Sequence, residues 1–139
     1  MKILLLISLF FYSTSYSQGQ VKVSVSNFEN DKGVCYTCVF NSENSFKEMK
    51  ALQCSTTSIT NKTSEVVFNA LPDGEYAIFV FHDKNENGKM DKNFLGIPSE
   101  GYGASQNKLP FAAAPKFEAN KFSVKKNVVV TARIRLRNI

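Results

Sequence analysis

The segment that most constrains this chain is Glu75 to Phe81. Tyr76, Ile78 and Val80 alternate with Ala77, Phe79 and Phe81, and a strand sends successive side chains to opposite faces. Both faces are therefore apolar. Such a strand must be covered on both sides, which makes it central in its architecture. The flanking sequence supplies neighbours. Val21, Val23 and Val25 alternate with Lys22, Ser24 and Ser26, the period of a half-buried strand. Asn30-Asp31-Lys32-Gly33 is a turn signal ahead of a strand from Val34 to Phe40. Asn41 to Leu52 carries Phe46, Met49 and Leu52 at helical spacing and fits a short helix or a looped connection. Ser55 to Thr60 is rich in Ser and Thr, Glu65 to Phe68 is a further strand, and Leu71-Pro72-Asp73-Gly74 is a tight turn. Near the end, Val128, Val130, Ala132, Ile134 and Leu136 share one face of a long amphipathic strand, opposite Val129, Thr131, Arg133 and Arg135. Short strands separated by turns, with almost no helix, predict an all-β fold. The expected form is an antiparallel β-sandwich of about seven strands, immunoglobulin-like or prealbumin-like.

The chain opens with Lys2, an apolar run from Ile3 to Phe11, and small polar residues around Ser15-Tyr16-Ser17. That is the pattern of a secretory signal peptide over residues 1–17, with cleavage before Gln18. The first cysteine is Cys35, too far along for a lipid anchor at the cleavage site. Cleavage removes Lys2 as the one charged residue, so 139 − 17 leaves 122 residues and +5 − 1 leaves a net charge of +4. The mature chain, 18–139, is expected to be a single domain with no transmembrane span, exported to the periplasm or beyond. In that oxidising setting three cysteines are an odd set. Cys35 and Cys38 have redox or half-zinc-site spacing, but they lie on a strand, where residues three apart face opposite ways. One disulfide from Cys54 to either Cys35 or Cys38, leaving one buried thiol, is the better reading; spacing does not choose the partner.

Function is expected in the insertion His82 to Lys116, about 35 residues rich in Gly and Pro. Phe94, Leu95, Ile97, Tyr102, Leu109 and Phe111 are expected to anchor it as an ordered loop over one end of the sandwich. It opens with Asp83-Lys84-Asn85-Glu86-Asn87-Gly88-Lys89-Met90-Asp91. Oxygen-bearing side chains stand at positions 1, 3, 5 and 9, Gly88 stands at 6, and the Lys89 carbonyl falls at 7. That is most of an EF-hand-type calcium loop, in which side chains two apart on a tight curl converge on one hard cation. Position 12 is Phe94 rather than a bidentate Glu, and calcium binding needs a distant acid such as Glu100 to complete the shell. The competing reading is a metal-free turn rich in Asn and Asp, with Asn87-Gly88 as a two-residue hairpin. His82 is the sole histidine, either a ligand or acid–base group, or a hydrogen-bonded structural residue at a strand end. Ser99 to Gly103 either places Glu100 and Tyr102 in a shared pocket or forms a turn flanked by glycines.

Three blocks occur in order: Leu71-Pro72-Asp73-Gly74-Glu75-Tyr76-Ala77, then Phe81-His82-Asp83-Lys84-Asn85-Glu86-Asn87-Gly88-Lys89-Met90-Asp91, then Gly96-Ile97-Pro98-Ser99-Glu100-Gly101-Tyr102-Gly103-Ala104-Ser105. The chain resembles the bacterial family called domain of unknown function 2141, whose members share these blocks. The resemblance covers essentially the whole mature chain. It implies a small exported β-sandwich with no established activity, and it marks His82, Asp83, Asn85, Asn87, Gly88, Asp91, Glu100 and Tyr102 as positions to test.

Lys121, Lys125, Lys126, Arg133, Arg135 and Arg137 cluster late in the chain. Such a face suits an acidic polysaccharide, a lipid surface or nucleic acid, or simply guards a sheet edge. Export removes nucleic acid from that set. With one histidine and no evident nucleophile, an enzyme is disfavoured. The expectation is a non-catalytic exported binding module for a glycan, a peptide or an envelope protein, with calcium as its one candidate cofactor. A structural or assembly protein of the cell envelope, acting by protein–protein contact, is the alternative.

Overall fold

The computed structural model describes residues 18–139, and the expected signal peptide at 1–17 lies outside the described residues. The element order is β1 (Gly19–Ser26), β2 (Val34–Phe40), α1 (Glu43–Lys47), β3 (Gln53–Thr57), β4 (Thr63–Leu71), β5 (Gly74–Asp83), β6 (Tyr102–Ala104), α2 (Phe117–Asn120), β7 (Phe122–Val124) and β8 (Val129–Arg135). One sheet has the order β4-β1-β8. The other runs β3-β2-β5-β6, with β7 also paired to β5. The fold is all-β with two sheets, as the alternation requires. The Ser- and Thr-rich stretch that starts at Ser55 forms the second half of β3 before the chain turns into β4. All pairings are antiparallel except β1 with β8, which run parallel from Gln20↔Val129 to Ser26↔Arg135. The first and last strands thus lie side by side, and β8 reaches β1 only after the chain has traversed the other sheet.

β5 is central in every direction. One edge pairs with β2 from Ala77 to Asp83. The other is shared, with β7 against Gly74 to Tyr76 and β6 against Phe79 to Phe81. Its inner residues Tyr76, Ile78 and Val80 join Val21, Val23, Val25, Val39, Val66, Phe68, Ile134 and Leu136 in the core between the sheets. Its outer residues Ala77, Phe79 and Phe81 join a second cluster with Cys38, Phe40, Phe46, Tyr102 and Phe117. α1 and α2 cover part of that outer face through Phe46 and Phe117. α1 is started by Ser42, whose hydroxyl accepts from the Ser45 N–H in a reciprocal cap.

The cysteines divide by face. Cys38 and Cys54 are directly opposed on β2 and β3 and form a disulfide on the outer side. Cys35 points inward, is buried and remains a free thiol. Burial holds its thiol above the ordinary cysteine value, opposed by hydroxyl hydrogen bonds from Thr37, Thr57 and Ser64. A tight two-residue hairpin falls at Asn61-Lys62, not at Asn87-Gly88. Both residues have positive φ (52° and 59°), and Thr60 and Thr63 exchange backbone hydrogen bonds across them. Asp31 fastens this turn by accepting from the N–H groups of Asn61 and Lys62 at 3.0 and 2.7 Å.

The disulfide closes a 16-residue separation, so it constrains the unfolded chain by about 3 kcal/mol. Replacing both Cys38 and Cys54 with Ser is expected to lower the Tm by roughly 10 °C. Cys35→Ser leaves the bridge intact, and non-reducing peptide mapping should then still recover Cys38 joined to Cys54.

Candidate functional site

β5 delivers two side chains at its end, and alternation separates them. His82 turns inward and Asp83 outward. Asp83 is 1% exposed. Its Oδ1 accepts from the Asn87 N–H at 3.2 Å and its Oδ2 from the Gly88 N–H at 2.8 Å. The chain therefore curls back over its own start. Glu86 and Gly88 take positive φ, 55° and 73°, to make that curl, which glycine adopts without strain. Asn85 Oδ1 accepts from the Asn87 N–H and Asn87 Oδ1 from the Lys89 N–H. Both side chains also reach Asp91. Asn85 Nδ2 donates to Asp91 Oδ2 at 2.6 Å, and Asn87 Nδ2 donates to Asp91 Oδ1 at 2.8 Å.

Glu100 closes the loop from the far side. It is 3% exposed. Its Oε1 accepts from the Lys84 N–H and its Oε2 from the Asp91 N–H, both at 3.1 Å. A bridge between Lys92 and Pro98, and a Ser99 N–H to Asp91 carbonyl bond of 2.8 Å, fold residues 92–99 so that Glu100 returns to this point. Burial raises the Glu100 carboxyl above the ordinary carboxylate value. The Asp91 and Asp83 charges add to the rise, and the two backbone donors oppose it. None of Asp83, Asp91 and Glu100 forms an ion pair among the described residues. Lys84, the nearest cation in sequence, is paired with Glu29 instead, whose carboxyl it lowers chiefly by hydrogen bonding.

The expected residues Asp83, Asn85, Asn87, Asp91 and Glu100 thus meet in one hydrogen-bonded loop, with Lys89 contributing its main chain there. Among the described residues, no three of His, Cys, Asp and Glu are gathered closely enough to hold a metal by themselves. Any cation would draw on amide and main-chain oxygens as well. An amide carbonyl oxygen that accepts one N–H keeps a second lone pair for such a role.

Two candidates stand apart from the loop. His82 is fully buried, with Nε2 2.6 Å from the Lys32 carbonyl and its ring edge-on to Phe28 at 5.2 Å. Its Nδ1 has no hydrogen-bond partner among the described residues. It ties the β1–β2 connection to the end of β5, beside Gly33, where any Cβ would collide with the Asp83 carbonyl and Lys84 backbone. Tyr102 is buried in the outer cluster, its ring 6.1 Å from Phe79. The shared Glu100–Tyr102 pocket does not form: the carboxylate serves the loop and the ring serves the sheet. The hairpin expected at Asn87-Gly88 does not form either, since β5 meets its next partner only at Tyr102.

The expected loop anchors also need correction. Tyr102 and Leu109 pack on the outer cluster, joined by Met90. Phe94, Leu95, Ile97 and Phe111 stand in solvent. Sequence reasoning missed Asn120, which is fully buried. Its Oδ1 accepts from the N–H groups of Gln106 and Lys108, and its Nδ2 donates to the carbonyls of Lys108 and Lys116. Arg137, expected only as one of the late basic cluster, donates through its guanidinium to the carbonyls of Leu109 and Pro110.

Fold and loop together define a small two-sheet β-protein with an oxygen-rich loop at the end of its central strand. The chain belongs to the bacterial family domain of unknown function 2141, described as an uncharacterised protein conserved in bacteria, whose model matches residues 23–131. No curated protein and no solved structure matches it. Among the described residues no helix is long and apolar enough to cross a membrane, which leaves strand-built spans unaddressed.

Asp91→Asn removes one of the charges that raise Glu100, so the Glu100 midpoint in a carboxyl NMR titration should move down while staying above the usual value through burial. A carboxyl whose folded midpoint lies above its unfolded one subtracts from stability when ionised, and that penalty is relieved as pH falls through the folded midpoint. Asn120→Ala removes four part-buried hydrogen bonds to the backbone of Gln106, Lys108 and Lys116 and is expected to cost about 2–4 kcal/mol in a denaturant melt.

Proposed function

We propose that this chain is an exported, non-catalytic binding module whose loop 83–91 is closed by a calcium ion. The observation that carries the reading is the pair of buried carboxylates, Asp83 and Glu100, facing the same loop as Asp91, none of the three ion-paired to a cationic side chain among the described residues. Buried charge is normally paired or bound to metal. Here main-chain and Asn N–H groups take that role in part, and burial raises Glu100, with the like charges of Asp91 and Asp83 adding to the rise. A divalent cation would relieve that repulsion. The donors are oxygens, which suits calcium rather than a softer metal. Glu100 supplies the acid that position 12 of the run lacks. The burial of His82 and its bond to Lys32 support the non-catalytic reading, because no solvent-borne substrate reaches the ring. One disulfide beside one buried thiol fits an exported protein.

Thermal melting in calcium and in chelator tests the reading, because a ligand held only by the native state raises the Tm. Millimolar calcium is expected to raise the Tm of the wild type and to leave that of Asp83→Ala unmoved. Glu100→Gln should weaken the calcium response without abolishing folding. Coincident melts of the wild type at millimolar calcium and in chelator would falsify the metal site.

A further inference from the structure

We propose that the turn at residues 93–97, together with the adjoining segment 110–115, docks the protein onto an anionic lipid surface. This names the partner of the binding module and rests on that reading, though not on its calcium.

Four large apolar side chains project from these two segments: Phe94 is 95% exposed, Leu95 68%, Ile97 47% and Phe111 96%. Scattered single exposures are ordinary. Here they are grouped, and Ala112, Ala113 and Ala114 extend the second segment as further exposed apolar residues. The residues that lead into the two segments, Met90 and Leu109, pack on the same outer-face cluster. Arg137 then fixes the second at its base through the Leu109 and Pro110 carbonyls.

The backbone of the turn is closed on itself. Asn93 N–H donates to the Ile97 carbonyl and Gly96 N–H to the Asn93 carbonyl, both at 2.9 Å. Asn93 Oδ1 accepts from the N–H groups of Leu95 and Ile97 at 2.9 and 3.1 Å. Gly96 allows this with φ +76° and open space around it. Pro98, Pro110 and Pro115 carry no N–H at all. A protein pocket would offer hydrogen-bond partners to a loop it received, whereas hydrocarbon offers none. A turn that takes up the N–H groups of Asn93, Leu95, Gly96 and Ile97 internally and turns its apolar side chains outward is suited to the second environment.

Charge selects the kind of lipid. The exposed charged side chains of residues 85–116 are Lys89, Lys92, Lys108 and Lys116 against Glu86. Lys89 and Lys92 immediately precede the turn, and Lys108 precedes the second segment. Apolar side chains at the acyl boundary with lysines at headgroup level form the two-part signal of an interfacial anchor.

Sedimentation with phosphatidylcholine vesicles, with and without phosphatidylglycerol, tests the proposal. The protein should pellet with the anionic vesicles and lose binding as salt rises. The double substitution Phe94→Asp with Leu95→Asp should lower the bound fraction about tenfold or more, with an unchanged circular dichroism melt. Equal binding by wild type and variant would place the contact elsewhere in the chain and overturn the proposal, since both carry the same N-terminus. So would a wild type that sediments as a dimer while the variant is monomeric, because the turn would then cover a second copy. Absence of binding to anionic vesicles, with the calcium melting shift retained, would remove the lipid partner and leave the calcium-closed module standing.

Discussion

Everything in this molecule depends on β5 being covered on both faces and paired on both edges. An apolar strand with no polar face cannot lie at a surface. The chain answers with a sheet on one side, and with two short helices and a long insertion on the other. Because β6 and β7 divide one edge of β5 between them, the insertion that separates them must leave and re-enter the sheet beside the same strand. The loop and its tips are thus placed by the requirement to cover Phe79, Phe81 and Tyr102. Alternation along β5 then assigns roles at its end: His82 inward to hold the β1–β2 connection, Asp83 outward to begin the loop.

The loop is organised around negative charge. Asp83 and Glu100 are nearly inaccessible, and their oxygens accept from backbone N–H groups of Lys84, Asn87, Gly88 and Asp91. These bonds lower a carboxyl, while burial and the neighbouring acids raise it, and for Glu100 the raising influences win. The loop thus combines Asx turns at Asn85 and Asn87 with two buried carboxylates that accept from its main chain.

The strands were legible because each carries its own period: the valines of β1, the two-sided β5 and the long alternation of β8 need no tertiary knowledge. The oxygen set of the loop was legible for the same reason, since its spacing is local. Glu100 could be named only as a distant acid, because its approach depends on the fold of residues 92–99. The disulfide partner was not readable. Strand parity puts Cys35 and Cys38 on opposite faces, but it does not say which face β3 offers to Cys54. The parallel pairing of β1 with β8 leaves no local mark at all. Asn120 reads as an ordinary polar residue and Arg137 as one of a basic cluster, and only the path of residues 106–116 around them turns them into clamps.

The exposed Phe94, Leu95, Ile97 and Phe111 failed as anchors for a physical reason. Hydrophobicity says that a side chain gains from leaving water, not where it will go. The outer face of β5 is already filled by Phe40, Phe46, Tyr102 and Phe117, with Met90 and Leu109 at its margin, so no space remains there for four more large side chains. The residues left over have lysine neighbours, and those at 93–97 sit on a turn that engages the N–H groups of Asn93, Leu95, Gly96 and Ile97 within itself. A fold that needed the insertion only as a cover would end its apolar content at Met90 and Leu109. The further apolar residues beyond that margin are left in water by the fold, and the proposed docking on a lipid surface is what would cover them.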